Sequence, residues 1–201
     1  MLLSPRFRHA LDLAHDLHDQ QERKGSGVPY IAHLLGVASL VLDYGGDEDT
    51  AIAALLHDAI EDCGGDRARQ RIHETLGTAT VTEQASTERI LAIVEGCSDT
   101  DRTPKPPWRD RKLAYIAHLA TASPEMRLVS SADKLHNARS LLRDYRNVGE
   151  TLWANFAGGR EGTLWYYRAV TTALYDAEPT PIVAELDRVV TELERQTAGY
   201  T

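Results

Sequence analysis

The stretch Ala51 to Asp62 reads AIAALLHDAIED. Its first six residues are apolar on every side of a helix, so a helix formed here has to be buried. It then runs into His57, Asp58, Glu61, Asp62 and the thiol of Cys63. Burying several carboxylates without partners is costly. Read as one helix, the stretch also sets Asp58, Glu61 and Asp62 at its C-terminal end, where the helix dipole already opposes negative charge. A positive group is needed close by, and a divalent metal is the simplest. The helical period pairs His57 with Glu61 and Asp58 with Asp62. Two adjacent ligands with two carboxylates one turn on make a compact metal-plus-acid/base arrangement. The competing reading is a polar helix end met by solvent.

Upstream, Tyr30 to Tyr44 (YIAHLLGVASLVLDY) forms a second strongly apolar helix that sets His33 among Ile31, Leu34, Leu35 and Val37. Gly45-Gly46 ends it, and Asp47 to Asp49 opens the central helix with acidic residues at the favourable end. Gln20 to Tyr30, QQERKGSGVPY, is a loop. Its Arg23 and Lys24 are either a solvated pair or a cationic lip that receives an anionic substrate. Ser4-Pro5 opens the first helix as N-cap and first-turn proline. His9, His15 and His18 on that helix read as surface or satisfied structural histidines.

Downstream, Gly64-Gly65 stops the central helix, and Asp66 to Leu76 is a short amphipathic helix ending at Gly77. Thr78 to Ser86 reads as a polar loop and Glu88 to Cys97 as a helix. The proline-rich Ser98 to Trp108 reads as a loop at the rim of a site, and Arg109 to Ala122 as a helix. Pro124 to Tyr145 is the second helix to carry polar groups in an apolar setting: Asp133 sits beside Ala132, and Asn137 lies one turn later on the same face. Lys134, Arg139 and Arg143 add positive charge, so an ion pair is the plain alternative role for Asp133. Past Val148, Gly158, Gly159 and Gly162 mark a turn. Trp165, Tyr166, Tyr167 and Tyr175 read as core packing, and Pro181 to Gln196 as a terminal helix. No segment has the period of a strand. The expectation is an all-α helical bundle, one domain over 1–201 with its motif core at about 4–145 and further helices at 148–197.

Hydrophobic residues make up 42% and charged residues 26% of the chain, the balance of an ordinary globular protein. A formal net charge of −8 argues against a nucleic-acid polymer or an anionic membrane as partner. It leaves room for a small phosphorylated ligand, because a metal and a few placed cations can offset the field locally. Two cysteines make no disulfide framework, and the N-terminal stretch has no signal-peptide core. The expected setting is the cytoplasm.

Four candidate metal ligands stand out: His33, His57, Asp58 and Asp133, each in an apolar helix. Two imidazoles and two carboxylates suit Mn²⁺, Fe²⁺, Zn²⁺ or Co²⁺ better than Ca²⁺ or Mg²⁺. The order H…HD…D in an all-α chain resembles the HD-domain metal-dependent phosphohydrolases. Three longer matches, RKGSGVPYIAH (23–33), ALLHDAIED (54–62) and ADKLHNAR (132–139), resemble the hydrolase domain of RelA/SpoT-type alarmone enzymes, in its small stand-alone form. One departure is Leu34, where that family commonly has proline after its first metal histidine. The resemblance implies removal of a 3′-pyrophosphate from (p)ppGpp, or from (p)ppApp. It implies Mn²⁺ held by His33, His57, Asp58 and Asp133, and an attacking water positioned and activated by Glu61 and Asp62. It also implies substrate contacts from Arg23, Lys24, Asn137 and Arg139. The alternatives are another HD-type phosphohydrolase, such as a nucleotidase or dNTP hydrolase, and a nucleotide-sensing module without turnover.

Overall fold

The structure, a computed structural model, describes residues 2–77, 80–100 and 104–199. Among these residues it is all-α, as expected. The helices are α1 (Pro5–Leu17), α2 (Ile31–Asp43), α3 (Glu48–Leu56), α4 (Ala59–Asp62), α5 (Gly65–Leu76), α6 (Val81–Cys97), α7 (Trp108–Leu119), α8 (Pro124–Val148), α9 (Gly159–Ala177) and α10 (Pro181–Thr197), with a 3-10 segment at Gly149–Asn155. The one extended pairing among them is an isolated antiparallel bridge between Glu22 and Pro29. No helix is long and apolar enough to cross a membrane. The chain divides into two compact units, Met1–Lys105 with Ser123–Ser130, and Pro106–Ala122 with Ser131–Thr201.

In the first unit α3 is the central rod. Every residue from Thr50 to Leu56 is buried, and α1, α2 and α6 pack around it. That is the burial its all-apolar sequence demands. Its start is fixed by Asp47, whose carboxylate accepts from the Thr50 backbone N–H at 2.9 Å. Arg89 of α6 braces this end: its guanidinium lies 2.7 Å from Asp47, 3.5 Å from Asp49 and 3.1 Å from Glu125 at the start of α8. In the second unit α9 is the hub, packed by α7, α10 and the 3-10 segment. Ile182, Val183, Leu186, Val190 and Leu193 form the buried face of α10 at helical spacing. Arg168 of α9 binds Asp187 and, at 2.7 Å, Glu194 of α10.

Several sequence readings change here. The stretch 51–62 is not one helix: α3 ends at Leu56, and α4 begins at Ala59. Asp58, at φ −96° and ψ −4°, has left regular helical geometry, although its carbonyl still accepts from the Asp62 N–H at 2.9 Å. Glu61 and Asp62 therefore occupy the first turn of a short helix rather than the C-terminal end of a long one. Gly64, at φ +88°, makes the left-handed step from α4 into α5. The expected loop at 78–86 is mostly helix, since α6 starts at Val81; Thr78 and Ala79 lie outside the described residues. The overlooked signal was a capping box, with Thr80 accepting from the Glu83 backbone N–H and its hydroxyl bonded to the Glu83 carboxylate. Residues 101–103 of the expected rim loop also lie outside the described residues. Gly162 is not a turn residue but part of α9, where a Cβ would meet the Trp108 ring at 3.3 Å.

Burial raises the Asp47 pKa, but hydrogen bonds from Thr50 and Arg89 outweigh it and hold the carboxyl below its usual range. Glu125 is held low by its own backbone N–H and then by Arg89. A depressed carboxyl pKa stabilises the fold above the unfolded value near 4, and that stability is lost as pH falls. Arg89→Met is therefore expected to cost about 1 kcal/mol at pH 7, a figure discounted for its partial exposure. The gap to the parent, read from urea melts, should shrink steadily between about pH 5 and pH 3.

Candidate metal centre

The first unit brings three of the four expected ligands together. His33 comes from the first turn of α2, His57 caps the C-terminus of α3, and Asp58 precedes α4. One ligand atom from each lies within 4.8 Å of the others, the one such group of three among the described residues. The Nε2 atoms of His57 and His33 lie 3.0 and 3.6 Å from the same oxygen, Asp58 Oδ2. Both imidazoles are buried.

The helix break makes this convergence possible. A continuous helix would turn Asp58 about 100° away from His57. Here His57 stays packed at the end of α3 while its Nδ1 lies 2.8 Å from the Ala54 carbonyl oxygen. A carbonyl only accepts, so Nδ1 carries the proton and donates it. That fixes the ring and leaves Nε2 as the atom that faces Asp58, the usual way a protein orients a metal-binding histidine. Two buried imidazole nitrogens and one half-buried carboxylate oxygen, converging on one point, fit a divalent transition ion.

Sequence reasoning did not single out Tyr30. Its hydroxyl donates to Asp58 Oδ2 at 2.6 Å. Its ring stacks on His18 at 5.2 Å and meets His33 edge-on at 5.5 Å. The signal was present: Tyr30 precedes His33 by three residues, and its backbone is already helical (φ −61°, ψ −29°), so both residues share a face. His18 is buried, with its Nδ1 2.7 Å from Gln21 Oε1, which agrees with a satisfied structural role.

The other expected site residues are placed as follows. Asp62 Oδ2 accepts from Gln21 Nε2 at 2.8 Å, and Glu61 Oε1 lies 3.1 Å from Lys105 Nζ. Arg23 and Lys24 lie on the loop closed by the Glu22–Pro29 bridge and by Arg23 N–H to the Val28 carbonyl at 2.8 Å. In the second unit Asp133 is buried on α8. Asn137 donates to its Oδ1 at 2.5 Å, and Lys134 Nζ lies 2.5 Å from its Oδ2. The ion pair considered from sequence is thus formed, with Lys134. Burial opposes the Lys134 charge, but the Asp133 carboxylate outweighs it and holds the ammonium well above the usual lysine range. Arg139, expected to contact substrate, lies 3.1 Å from Glu185 of α10.

Comparison with known proteins shows the family. The profile of the HD domain matches residues 10–164. This chain belongs to the HD-domain family. The matched span includes the whole His33–His57–Asp58 group and Asp133. Among HD-domain relatives, the chain is 34% identical over 137 residues to guanosine-3′,5′-bis(diphosphate) 3′-pyrophosphohydrolase MESH1 of Xenopus tropicalis, covering 67% of this chain and 68% of that protein. It is 34% identical over 142 residues to the bifunctional (p)ppGpp synthase/hydrolase SpoT of Escherichia coli K12; that match covers 68% of this chain and 18% of SpoT. A solved structure described as a metazoan ortholog of SpoT that hydrolyzes ppGpp superposes with a TM-score of 0.71 at 23% identity, over 100% of this chain and 99% of that one, and so shares the fold. The resemblance read from the three motifs is thereby borne out.

Two variants probe the candidate ligands. Asp58→Ala removes the oxygen on which both histidines converge, and metal content by plasma mass spectrometry is expected to fall below a tenth of the parent. Tyr30→Phe keeps the ring but removes the hydroxyl that aims Asp58. Metal affinity, measured against a fluorescent chelator, should weaken about 10- to 100-fold, the usual effect of losing such a supporting bond. Parent-like affinity in Tyr30→Phe would mean that the hydroxyl plays no part in orienting Asp58.

Proposed function

We propose that the chain is a metal-dependent hydrolase that removes the 3′-pyrophosphate from alarmone nucleotides, (p)ppGpp or (p)ppApp, and releases pyrophosphate. The observation that carries this reading is the His33–His57–Asp58 group inside a chain whose relatives are named for that reaction. His33, His57 and Asp58 would hold the ion, taken here as Mn²⁺. Asp133 keeps the ligand role that the motif resemblance gives it. A bound divalent ion supplies charge stabilisation for phosphate oxygens and a more acidic attacking water.

The chain's own residues do the rest. The Ala54 carbonyl holds the His57 tautomer, and Tyr30 holds the Asp58 carboxylate. Glu61 and Asp62, on the turn that follows, orient the attacking water and take its proton. Their hydrogen bonds to Lys105 and Gln21 set them within an exposed, exchangeable network rather than a sealed one. Arg23 and Lys24 receive the substrate's negative charge, which a chain of net charge −8 must offset locally. A small nucleotide rather than a nucleic-acid polymer is the substrate class, and the cytoplasm is the proposed setting.

Purified protein with Mn²⁺, offered ppGpp, ppApp, simple nucleoside triphosphates and monophosphates, is expected to release pyrophosphate from the first two. Orthophosphate from simple nucleotides alone would overturn the reading in favour of another phosphohydrolase. Tight nucleotide binding without turnover under any divalent metal would favour a sensing module.

Glu61→Gln keeps size and hydrogen-bonding capacity but loses the base. It should retain metal while kcat falls by about 10²–10⁴, with Asp62→Asn showing a related loss. Loss of metal from Glu61→Gln would instead make Glu61 a ligand, and near-parent kcat would return it to an ordinary acidic helix end.

A further inference from the structure

Gln21, just past the turn that closes α1, is fastened at both ends of its backbone and both ends of its side-chain amide. Its N–H donates to the His18 carbonyl at 3.0 Å, and its carbonyl accepts from the Tyr30 N–H at 2.9 Å. Its Nε2 lies 2.8 Å from Asp62 Oδ2, and its Oε1 lies 2.7 Å from His18 Nδ1. A carboxylate only accepts, so the amide NH2 faces Asp62. That leaves the amide oxygen for His18 and puts a proton on Nδ1. The far end of this relay is buried. His18 is 3% exposed, and its ring stacks on Tyr30 at 5.2 Å with 22° between the planes. Cys63 Sγ, 3.7 Å from His18 Nε2, donates to the Leu17 carbonyl at 3.3 Å.

Asp62 itself is exposed, at the end of the short helix α4, and Gln21 is its side-chain hydrogen-bond partner. An exposed aspartate left to itself samples several rotamers, whereas a carboxylate that serves a water has to keep one. A surface hydrogen bond selects little when its donor is as mobile as its acceptor. Here the donor is immobile, because a buried imidazole and two backbone bonds hold the residue that carries it. We propose that Gln21, anchored by His18, is a positioning residue that holds the Asp62 carboxylate in the orientation from which it acts on the attacking water. Asp62 has that task only in the hydrolase proposed above, so the positioning role rests on that reading.

The plain alternative is that Gln21 does no more than satisfy the His18 ring. Two substitutions separate the roles. Gln21→Leu removes both side-chain bonds at similar volume. Gln21→Glu keeps an acceptor for His18 but sets a like charge against Asp62. Satisfying His18 alone would leave Gln21→Glu at parent activity; positioning Asp62 makes it at least as slow as Gln21→Leu. With ppGpp and Mn²⁺, kcat is expected to fall about tenfold in Gln21→Leu, a hydrogen bond to a charged group discounted for its exposure, while KM stays within about twofold. In an Asp62→Ala background the same substitutions should cost less than about twofold, because the group they act through is gone. Metal content should match the parent in both Gln21 variants, and kcat should match it in the neighbouring control Gln20→Leu. Parent kcat in Gln21→Glu, an undiminished loss in the Asp62→Ala background, or loss of metal along with kcat would each overturn the proposal. The hold on Asp62 also has a readout without turnover, the Gln21 side-chain amide protons followed by NMR in the full chain loaded with diamagnetic Zn²⁺. They should be protected from exchange in the parent and lose that protection in Asp62→Ala; protons indifferent to Asp62→Ala would overturn the hold itself. Should no nucleotide yield pyrophosphate while these protons do respond, the hydrolase reading falls and the hold of Gln21 on Asp62 stands.

Discussion

The convergence of two histidine nitrogens on one oxygen of Asp58 is the constraint around which the first unit is built. Imidazole and carboxylate groups in a buried setting are costly unless they share a partner, and the elements that supply them have to be held rigidly for that sharing to work. The all-apolar α3 provides the rigidity, since every one of its residues from Thr50 on is packed. The interruption at His57 and Asp58 provides the geometry. A straight continuation would have been more regular and would have separated the two ligands.

Much of this was legible in the amino-acid sequence. The apolar run before His57 announced a buried helix, and the polar cluster at its end announced a site. The histidine of α2 was suspicious because it sat among aliphatic residues with other ligands available elsewhere. The helix break was not legible, because His57 and Asp58 are both compatible with helix and no glycine or proline marks the position. The start of α6 was missed for the opposite reason: a polar composition suggested a loop, while the Thr80–Glu83 capping pair specified a helix. Tyr30 escaped notice because its ring reads as ordinary packing. Only its hydroxyl contact with Asp58 shows otherwise.

The second unit was harder to read. Its aromatic residues were expected to be core, and Tyr166 and Tyr167 are indeed buried, but Tyr175 is 54% exposed and Trp165 lies under Arg109 at 3.3 Å. Sequence spacing finds the face of a helix and says little about which cation will cover an aromatic ring. The Asp133 ion pair shows the same limit: three cations were candidates, and the adjacent residue, Lys134, is the one that reaches it.

The loop from Gln21 to Tyr30 is tied at its base and turned at its tip, where Ser26 N–H bonds to the Arg23 carbonyl at 3.3 Å. Tyr30 N–H bonds to the Gln21 carbonyl at 2.9 Å, and Arg23 N–H to that of Val28 at 2.8 Å. Everything between those ties, Lys24 to Gly27, is a tip with an exposed surface. Lys24 and Ser26 can be exchanged there without moving the stem, whereas Gly25 (φ +80°) and Gly27 (φ +66°) hold left-handed backbone that a side chain would strain. Descendants of such a scaffold can therefore vary the polar residues of the tip while inheriting the His33–His57–Asp58 group unchanged.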